Sequence, residues 1–284
     1  MDGIFGYAGD EINPHGRADW TRLTLRDFGD GHAEISACRY ETWSEPDEAA
    51  DAADAMAKTL RGEGDRERSR IVSAQRARSK VRHRCKVLKV DRMLTLSTKE
   101  WMDSAELGKL FYRFVRRVRS AQRFEYVAVV EKHDSEATSD AKRGSAHLHI
   151  AVRGRVALRL FWSVWEGICG KGMGRVHVTK PVARHNVHRI ACYIAKYVGK
   201  AFEEGELNKK RYWASRGGDE AVVSRRLVAA GDIADAARQV AMWLNERGFR
   251  WSFADAITGR GDCLLWMHVS PERHSWRADA VVVM

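Results

Sequence analysis

The chain has 284 residues, a length that suits one large domain or one domain with substantial flanking segments. Its 44% hydrophobic and 31% charged residues are typical of a soluble globular protein, and no apolar run approaches the length of a membrane span. A net charge of +11 and a pI near 9.6 favour a polyanionic partner, because lysine and arginine release phosphate counterions on binding. A well-solvated basic surface is the alternative.

Cysteine usage and the first residues indicate the compartment. The five cysteines are odd in number and form no C-x-x-C pair, which favours a reduced protein. The acidic start lacks the basic and apolar regions of a signal peptide. We therefore expect a cytoplasmic protein with no membrane partner.

The chain begins with two segments of opposite charge. We interpret residues 1–57 as an acidic, irregular extension, with short strands at 21–25 and 33–40 around a turn at 29–31 and an acidic helix or linker after them. We interpret residues 58–92 as a basic helical arm that lies on the domain with its arginine face outward. We expect this cationic face to contact the nucleic-acid backbone, unless it is only a solvated face. The arm's candidate DNA-binding residues are Arg76, Arg78, Lys80, Arg82 and Arg84.

Residues 93–217 carry alternating strand and helix patterns. The predicted order is β-α-β-β-α-β, with strands at 93–98, 126–132, 145–152 and 175–179 and helices at 103–120 and 155–169. This order predicts an α+β protein with a ferredoxin-like antiparallel sheet and both helices on one face. A further helix at 186–202 can cross the open face, and residues 218–284 are predicted to be a helical extension with a helix at 234–247.

The third strand combines an aliphatic face with a histidine face. His147 and His149 are two residues apart, so both imidazoles point to the same side, as a shared divalent metal requires. Glu131 ends the preceding strand and lies near them if the intervening polar loop closes a hairpin, which supplies a third ligand. Such a set leaves coordination positions open and suits Mn²⁺, Mg²⁺, Fe²⁺ or Zn²⁺. Hydrogen-bonded or solvent-facing histidines and an exposed strand-end carboxylate are the alternatives.

The helix at 186–202 carries two tyrosines. Tyr193 and Tyr197 are four residues apart, so both phenols lie on one helical face, about 6 Å apart. Lys196 and Lys200 each follow a tyrosine by three residues, and a nearby ammonium group favours the phenolate. The alternative is an amphipathic helix whose tyrosines pack and whose lysines only extend their stems over apolar surface.

Three motifs together resemble the HUH endonuclease superfamily, specifically the two-tyrosine rolling-circle replication initiators (Rep proteins) of phages and plasmids. RMLTLST at 92–98 is similar to the first motif, AHLHI at 146–150 to the metal motif and YIAKYVGK at 193–200 to the nucleophile motif. The resemblance covers about residues 66–217. It includes KRYWASRG at 210–217, which is similar to a segment that follows the tyrosine helix in some members.

This resemblance implies a function and a set of roles. Tyr193 and Tyr197 would attack a scissile phosphate in single-stranded or cruciform origin DNA, leaving a 5′-phosphotyrosine and a free 3′-hydroxyl. The histidine pair would bind Mn²⁺ or Mg²⁺, while Glu131 fits the third ligand position by geometry. Lys196 and Lys200 would stabilise phosphate or phenolate, and Arg211 would contact DNA.

Three other functions remain open. Relaxases share this chemistry but usually place the tyrosine before the histidines, and two-tyrosine transposases are also compatible with the motifs. A non-catalytic, RRM-like binding module is disfavoured because the central strands lack stacking aromatics. The chain has no G-x-x-x-x-G-K-[ST] motif, so we expect unwinding and synthesis to depend on a host helicase and polymerase.

Overall fold

The structure, a computed structural model, describes residues 20–40, 66–132, 144–154, 157–181, 187–203, 212–249, 253–260 and 263–270. These residues form an α+β protein with two antiparallel five-stranded sheets. They divide into two compact units, one within residues 53–220 and one within residues 1–52 and 221–284. The elements are β1 (Trp20–Asp27), β2 (Ala33–Arg39), α1 (Arg66–Val87), β3 (Arg92–Thr98), α2 (Ser104–Ala121), β4 (Tyr126–Lys132), β5 (Ala146–Val152), α3 (Leu158–Cys169), β6 (Gly174–Val178), α4 (Val187–Glu203), β7 (Tyr212–Ala214), β8 (Val222–Ala229), α5 (Ile233–Glu246), β9 (Phe253–Arg260) and β10 (Cys263–Ser270).

The unit within residues 53–220 is built on the sheet β6-β3-β5-β4-β7. Every strand and helix predicted between residues 93 and 202 is confirmed, with ends shifted by a few residues. Strand β7, which was not predicted, adds to the edge of β4. Because β3 and β4 both pair antiparallel with β5, the connection through α2 is a crossover between parallel strands.

Helices α2 and α3 cover one face of this sheet with an aromatic core. Phe111 and Phe114 of α2 meet Phe161 and Trp165 of α3 over the aliphatic residues of β5. Asp103 caps the start of α2 by accepting hydrogen bonds from two backbone amides. The buried Trp165 also donates its indole N–H to the Ser97 carbonyl at 2.9 Å. The two helices and the strands beneath them therefore share one packed core.

Helix α4 covers the opposite face. Ile194 of α4 packs with Val129 and Ala151 of the sheet, and α1 packs in the same cluster through Val81 and Cys85. The basic helix is therefore packed on this unit, as the sequence predicted. The physical reason is the spacing of its small apolar residues, which recur every four positions and form a buried stripe beneath the cationic side chains.

The other unit is the sheet β8-β1-β2-β10-β9, with α5 packed on one face. The two predicted N-terminal strands and the helix near 234–247 are confirmed as β1, β2 and α5. The helical extension predicted for residues 218–284 differs from the structure, which places three strands there besides the helix. Strand β8 was missed because it has charged residues on both faces and pairs with β1 about 200 positions away.

Several predictions lie outside the described residues. They include the acidic helix or linker before residue 58, most of the loop between β4 and β5, and Arg211. Among the helices that the structure describes, none combines the length and apolar character that crossing a membrane would require.

Gly174 provides a test of how closely β6 packs on α3. A Cβ at this position would lie 2.7 Å from Trp165 Cδ1, whereas a Cβ at Gly167 on α3 would meet nothing closer than 3.7 Å. We expect Gly174→Ala to lower the free energy of unfolding by about 1–3 kcal/mol through overpacking. Gly167→Ala should raise it by up to about 1 kcal/mol, since alanine favours a helix. Urea denaturation measures both, and an unchanged midpoint for Gly174→Ala would contradict the close packing.

Candidate functional site

The register of the β4–β5 hairpin brings three polar side chains together. Glu131 pairs directly with His147, and Val129 pairs with His149. The two histidines alternate with aliphatic residues that face α2 and α3, so both imidazoles lie on the α4 side of the sheet. The exposed fraction is 7% for His147 and 9% for His149, so the site lies beneath the surface.

The three side chains converge on one point, and we call them the histidine–carboxylate cluster. Glu131 Oε2 lies 3.0 Å from His147 Nε2 and 2.7 Å from His149 Nε2, and the two Nε2 atoms are 2.9 Å apart. Burial raises the pKa of Glu131, but its hydrogen bonds to His147 and His149 outweigh burial and lower that pKa to about 2. The carboxylate is therefore ionised at neutral pH.

The donor set fits a divalent cation. Adjacent ligand atoms of an octahedral ion, each about 2.1 Å from the metal, are about 3.0 Å apart, close to the separations found here. Two imidazoles and one carboxylate leave positions open for a substrate oxygen, as a catalytic site requires. Among the described residues, this is the only group of three or more potential metal ligands. Both predicted histidines and Glu131 are thus brought together, while the identity of the metal is not decided by ligand type.

The two tyrosines of α4 lie against this cluster. The Tyr197 ring stacks on the His149 imidazole, with centroids 4.8 Å apart and planes 16° apart. Tyr193 meets His149 edge-on at 5.8 Å. The Tyr197 hydroxyl donates a hydrogen bond of 2.8 Å to the Tyr193 oxygen. The phenol of Tyr193 is the more accessible, since 44% of this residue is exposed.

The surroundings of Tyr197 favour its neutral phenol. Burial, the hydrogen bond to Tyr193 and the negative charge of Glu131 raise the pKa of Tyr197 well above its usual value. The predicted effect of the lysines, which would favour the phenolate, stays a prediction. Lys196 is exposed on the same helix, and the side chain of Lys200 lies outside the described residues.

The basic residues of α1 have different surroundings. Arg76 and Lys80 are exposed, whereas Arg78 and Arg82 are half-buried. Arg84 donates hydrogen bonds to the Ser215 carbonyl, one of them from Nε at 3.0 Å, and so links α1 to the segment after β7. Contact of these residues with DNA stays a prediction.

The structure adds neighbours that the sequence motifs did not identify. Thr95 pairs with His149 across β3 and β5, and its hydroxyl lies 3.4 Å from His149 Nδ1, which leaves Nε2 directed at the cluster. On the other side of β3, Arg175 and His177 of β6 lie on the same face of the sheet. In the sequence, Arg175 and His177 alternate with Val176 and Val178, which indicates that the two polar side chains share one face of a strand. Only the strand order of the sheet places that face beside the cluster.

No known protein-family model, curated protein or solved structure matches this chain.

Metal binding tests the histidine–carboxylate cluster directly. We expect the wild-type protein to bind Mn²⁺, as measured by isothermal titration calorimetry, and to unfold at a higher temperature when Mn²⁺ is present. His147→Ala, His149→Ala and Glu131→Gln should each weaken binding by more than about 100-fold, because each removes a direct ligand. His83→Ala on α1 is the matched control and should bind like the wild type. Equal affinity in the wild type and in all three cluster variants would contradict the site.

Proposed function

We propose that this protein is a metal-dependent, single-stranded DNA endonuclease and strand transferase that initiates rolling-circle replication. The observation that carries the proposal is the contact of two phenols, on one helical face, with the histidine–carboxylate cluster. A nucleophile beside a divalent-metal site is an arrangement that suits phosphodiester transfer, and a second nucleophile permits a second transfer at the same site. The motifs that resemble two-tyrosine Rep proteins contribute these same residues.

We also infer that the catalytic unit is a ferredoxin-like core with one added strand. Its first four strands follow the β-α-β-β-α-β order and lie in the sheet as β6-β3-β5-β4. Helices α2 and α3 lie on one face, and α4 lies on the other. In this arrangement the tyrosines lie on α4, whereas the metal ligands lie on β4 and β5. The helix and the strands can therefore orient the nucleophiles and the ligands independently.

In the proposed reaction, three residues hold the metal ion and a tyrosine attacks the phosphate. Glu131, His147 and His149 would hold the ion, which when bound polarises a non-bridging phosphate oxygen. A tyrosine oxygen forms a bond to phosphorus and loses its proton, while the bond from phosphorus to the 3′-oxygen breaks and that oxygen leaves as a hydroxyl. The 5′-phosphotyrosine keeps a phosphodiester-like bond, so a 3′-hydroxyl can reverse the step without ATP.

The two tyrosines suit consecutive transfers at one site. Tyr193 accepts the hydrogen bond from Tyr197 and is the more exposed, so the first phosphate can reach it with less rearrangement. Tyr197 remains stacked on His149 and can receive the second phosphate without a second metal site. One phenol would hold the old 5′ end while the other cuts the next junction.

The surroundings of the site support a DNA substrate. The chain's net charge of +11 and the exposed Arg76, Lys80 and Lys196 favour the binding of a phosphate backbone. The nucleotide-binding motif of a helicase is absent from the sequence. The proposal therefore includes origin DNA as substrate, Mn²⁺ or Mg²⁺ as cofactor, and a host helicase and polymerase in the bacterial cytoplasm.

A covalent adduct is the test of this function. Incubating the protein with a labelled, degenerate single-stranded DNA library and Mn²⁺ should give a band that migrates with the protein on a denaturing gel. EDTA and the double variant Tyr193→Phe/Tyr197→Phe should abolish the band, because ion and nucleophile are both required. Tyr112→Phe, an exposed tyrosine on α2, is the matched control and should retain it. DNA binding with no adduct under any metal would instead support a non-catalytic binding module.

Single variants should separate the two phenols. We expect Tyr197→Phe to form a first adduct at a rate within about tenfold of wild type, and peptide mass spectrometry to place that adduct on Tyr193. Tyr193→Phe should form it more slowly, because Tyr197 is partly buried. Neither variant should carry out the second cleavage, so neither should release completed circles from a circular template that contains the cleaved sequence. A Tyr193→Phe protein that completes full circles would contradict two working nucleophiles.

A further inference from the structure

A cleft lies on the unit within residues 53–220, next to the strand that carries Thr95. Its volume of about 430 Å³ falls in the range of small-molecule sites and is large enough for one nucleotide. Most of its lining comes from β3 and the edge strand β6, with one aromatic residue from α3. The lining residues are Thr95, Ser97, Trp162, Gly174, Arg175, Val176 and His177.

Strand register connects this cleft to the histidine–carboxylate cluster. Thr95 pairs with His149 on one side and with His177 on the other, while Ser97 pairs with Arg175. Directly paired residues share a face of the sheet, so these side chains form one polar strip. Thr95 lies within 3.4 Å of the His149 ring, so the strip reaches the cluster through a single side chain.

The chemistry of the lining suits a nucleotide. Arg175 and His177 are exposed, and within the described part of the chain no carboxylate forms an ion pair with Arg175. The hydroxyls of Thr95 and Ser97 add neutral hydrogen-bonding groups, and no acidic residue lines the cleft. Trp162 is 52% exposed, so its indole is available to a base. A cation, hydroxyls and an aromatic ring are the groups that hold single-stranded nucleic acid.

We propose that this cleft binds one nucleotide of the DNA strand whose neighbouring phosphate lies at the histidine–carboxylate cluster. Arg175 contacts the phosphate of that nucleotide, Ser97 and His177 offer polar contacts to its sugar or base, and Trp162 stacks on the base. The assignment of the strand to the cluster rests on the proposed function. The binding of single-stranded DNA in the cleft does not require cleavage and can be measured separately.

The test measures affinity in the absence of catalysis. The double variant Tyr193→Phe/Tyr197→Phe is titrated, with EDTA present, into fluorescein-labelled (dT)20, and anisotropy is recorded. Adding Trp162→Ala should weaken binding at least about fivefold, as the loss of one stacked base does, and Trp162→Phe should restore most of it. Adding Arg175→Gln should weaken binding and lower the slope of log K against log salt by about 0.7, the loss of one phosphate contact.

Matched controls lie on α2, which contributes no residue to the lining of the cleft. Tyr112→Ala removes an aromatic residue of 55% exposure, and Arg116→Gln removes an exposed arginine. Both should bind (dT)20 like the parent. A strand containing 5-iododeoxyuridine should photocrosslink to Trp162, as read by peptide mass spectrometry, and not to Tyr112.

The outcomes distinguish this inference from the proposed function. If the protein forms the metal-dependent adduct but Trp162→Ala and Arg175→Gln bind (dT)20 like the controls, the cleft inference is overturned and the nuclease stands. If no adduct forms but these two variants lose affinity and Trp162 crosslinks, the cleft is supported as a nucleic-acid site and the nuclease fails. Loss of affinity that is equal in the cleft variants and the α2 controls also overturns the inference.

Discussion

The arrangement of the rest of the site depends on the contact of the Glu131 carboxylate with the imidazoles of His147 and His149. Three polar groups meet within 3.0 Å on a sheet face where the neighbouring Val127, Val129 and Ala151 are apolar. Burying such groups is costly unless each finds a partner. The helix that covers them must therefore present side chains with an apolar body and a polar tip. Tyr193 and Tyr197 meet this requirement, because their rings pack on His149 while their hydroxyls pair with each other.

The two faces of this sheet have different physical roles. On one face, α2 and α3 enclose an aromatic core in which Phe114 makes edge contacts with Phe124, Phe161 and Trp165. Close-packed rings of this kind tolerate little movement, so the strands beneath them are held in place. On the other face, the same strands present the histidine–carboxylate cluster. A functional site carried by strands that are packed on their reverse side is preorganised, since the ligands do not depend on a loop for their position.

Helix α1 shows how a basic segment can support a site while remaining available to a polyanion. Val81 and Cys85 bury one side of this helix against the α4 layer, and Arg84 is bonded to the Ser215 carbonyl. Arg76 and Lys80 remain exposed. The helix that packs against the tyrosine-bearing α4 thus also carries exposed cationic side chains. Any partner that contacts Arg76 or Lys80 would be near α4, the helix that carries the two tyrosines, because α1 and α4 belong to one packed cluster.

The sequence by itself determined the strands and helices between residues 93 and 202, the histidine pair on one strand face and the tyrosine pair on one helical face. These features depend on backbone periods of 2 and 3.6 residues, which a short stretch of chain expresses locally. Only the tertiary structure decided that Glu131 meets both histidines, that Tyr197 stacks on His149 with a raised pKa, that α1 packs against α4, and that β8–β10 join the N-terminal strands. Those outcomes depend on register and on partners far apart in the chain. No local pattern specifies which distant strand or ring will supply the missing contact.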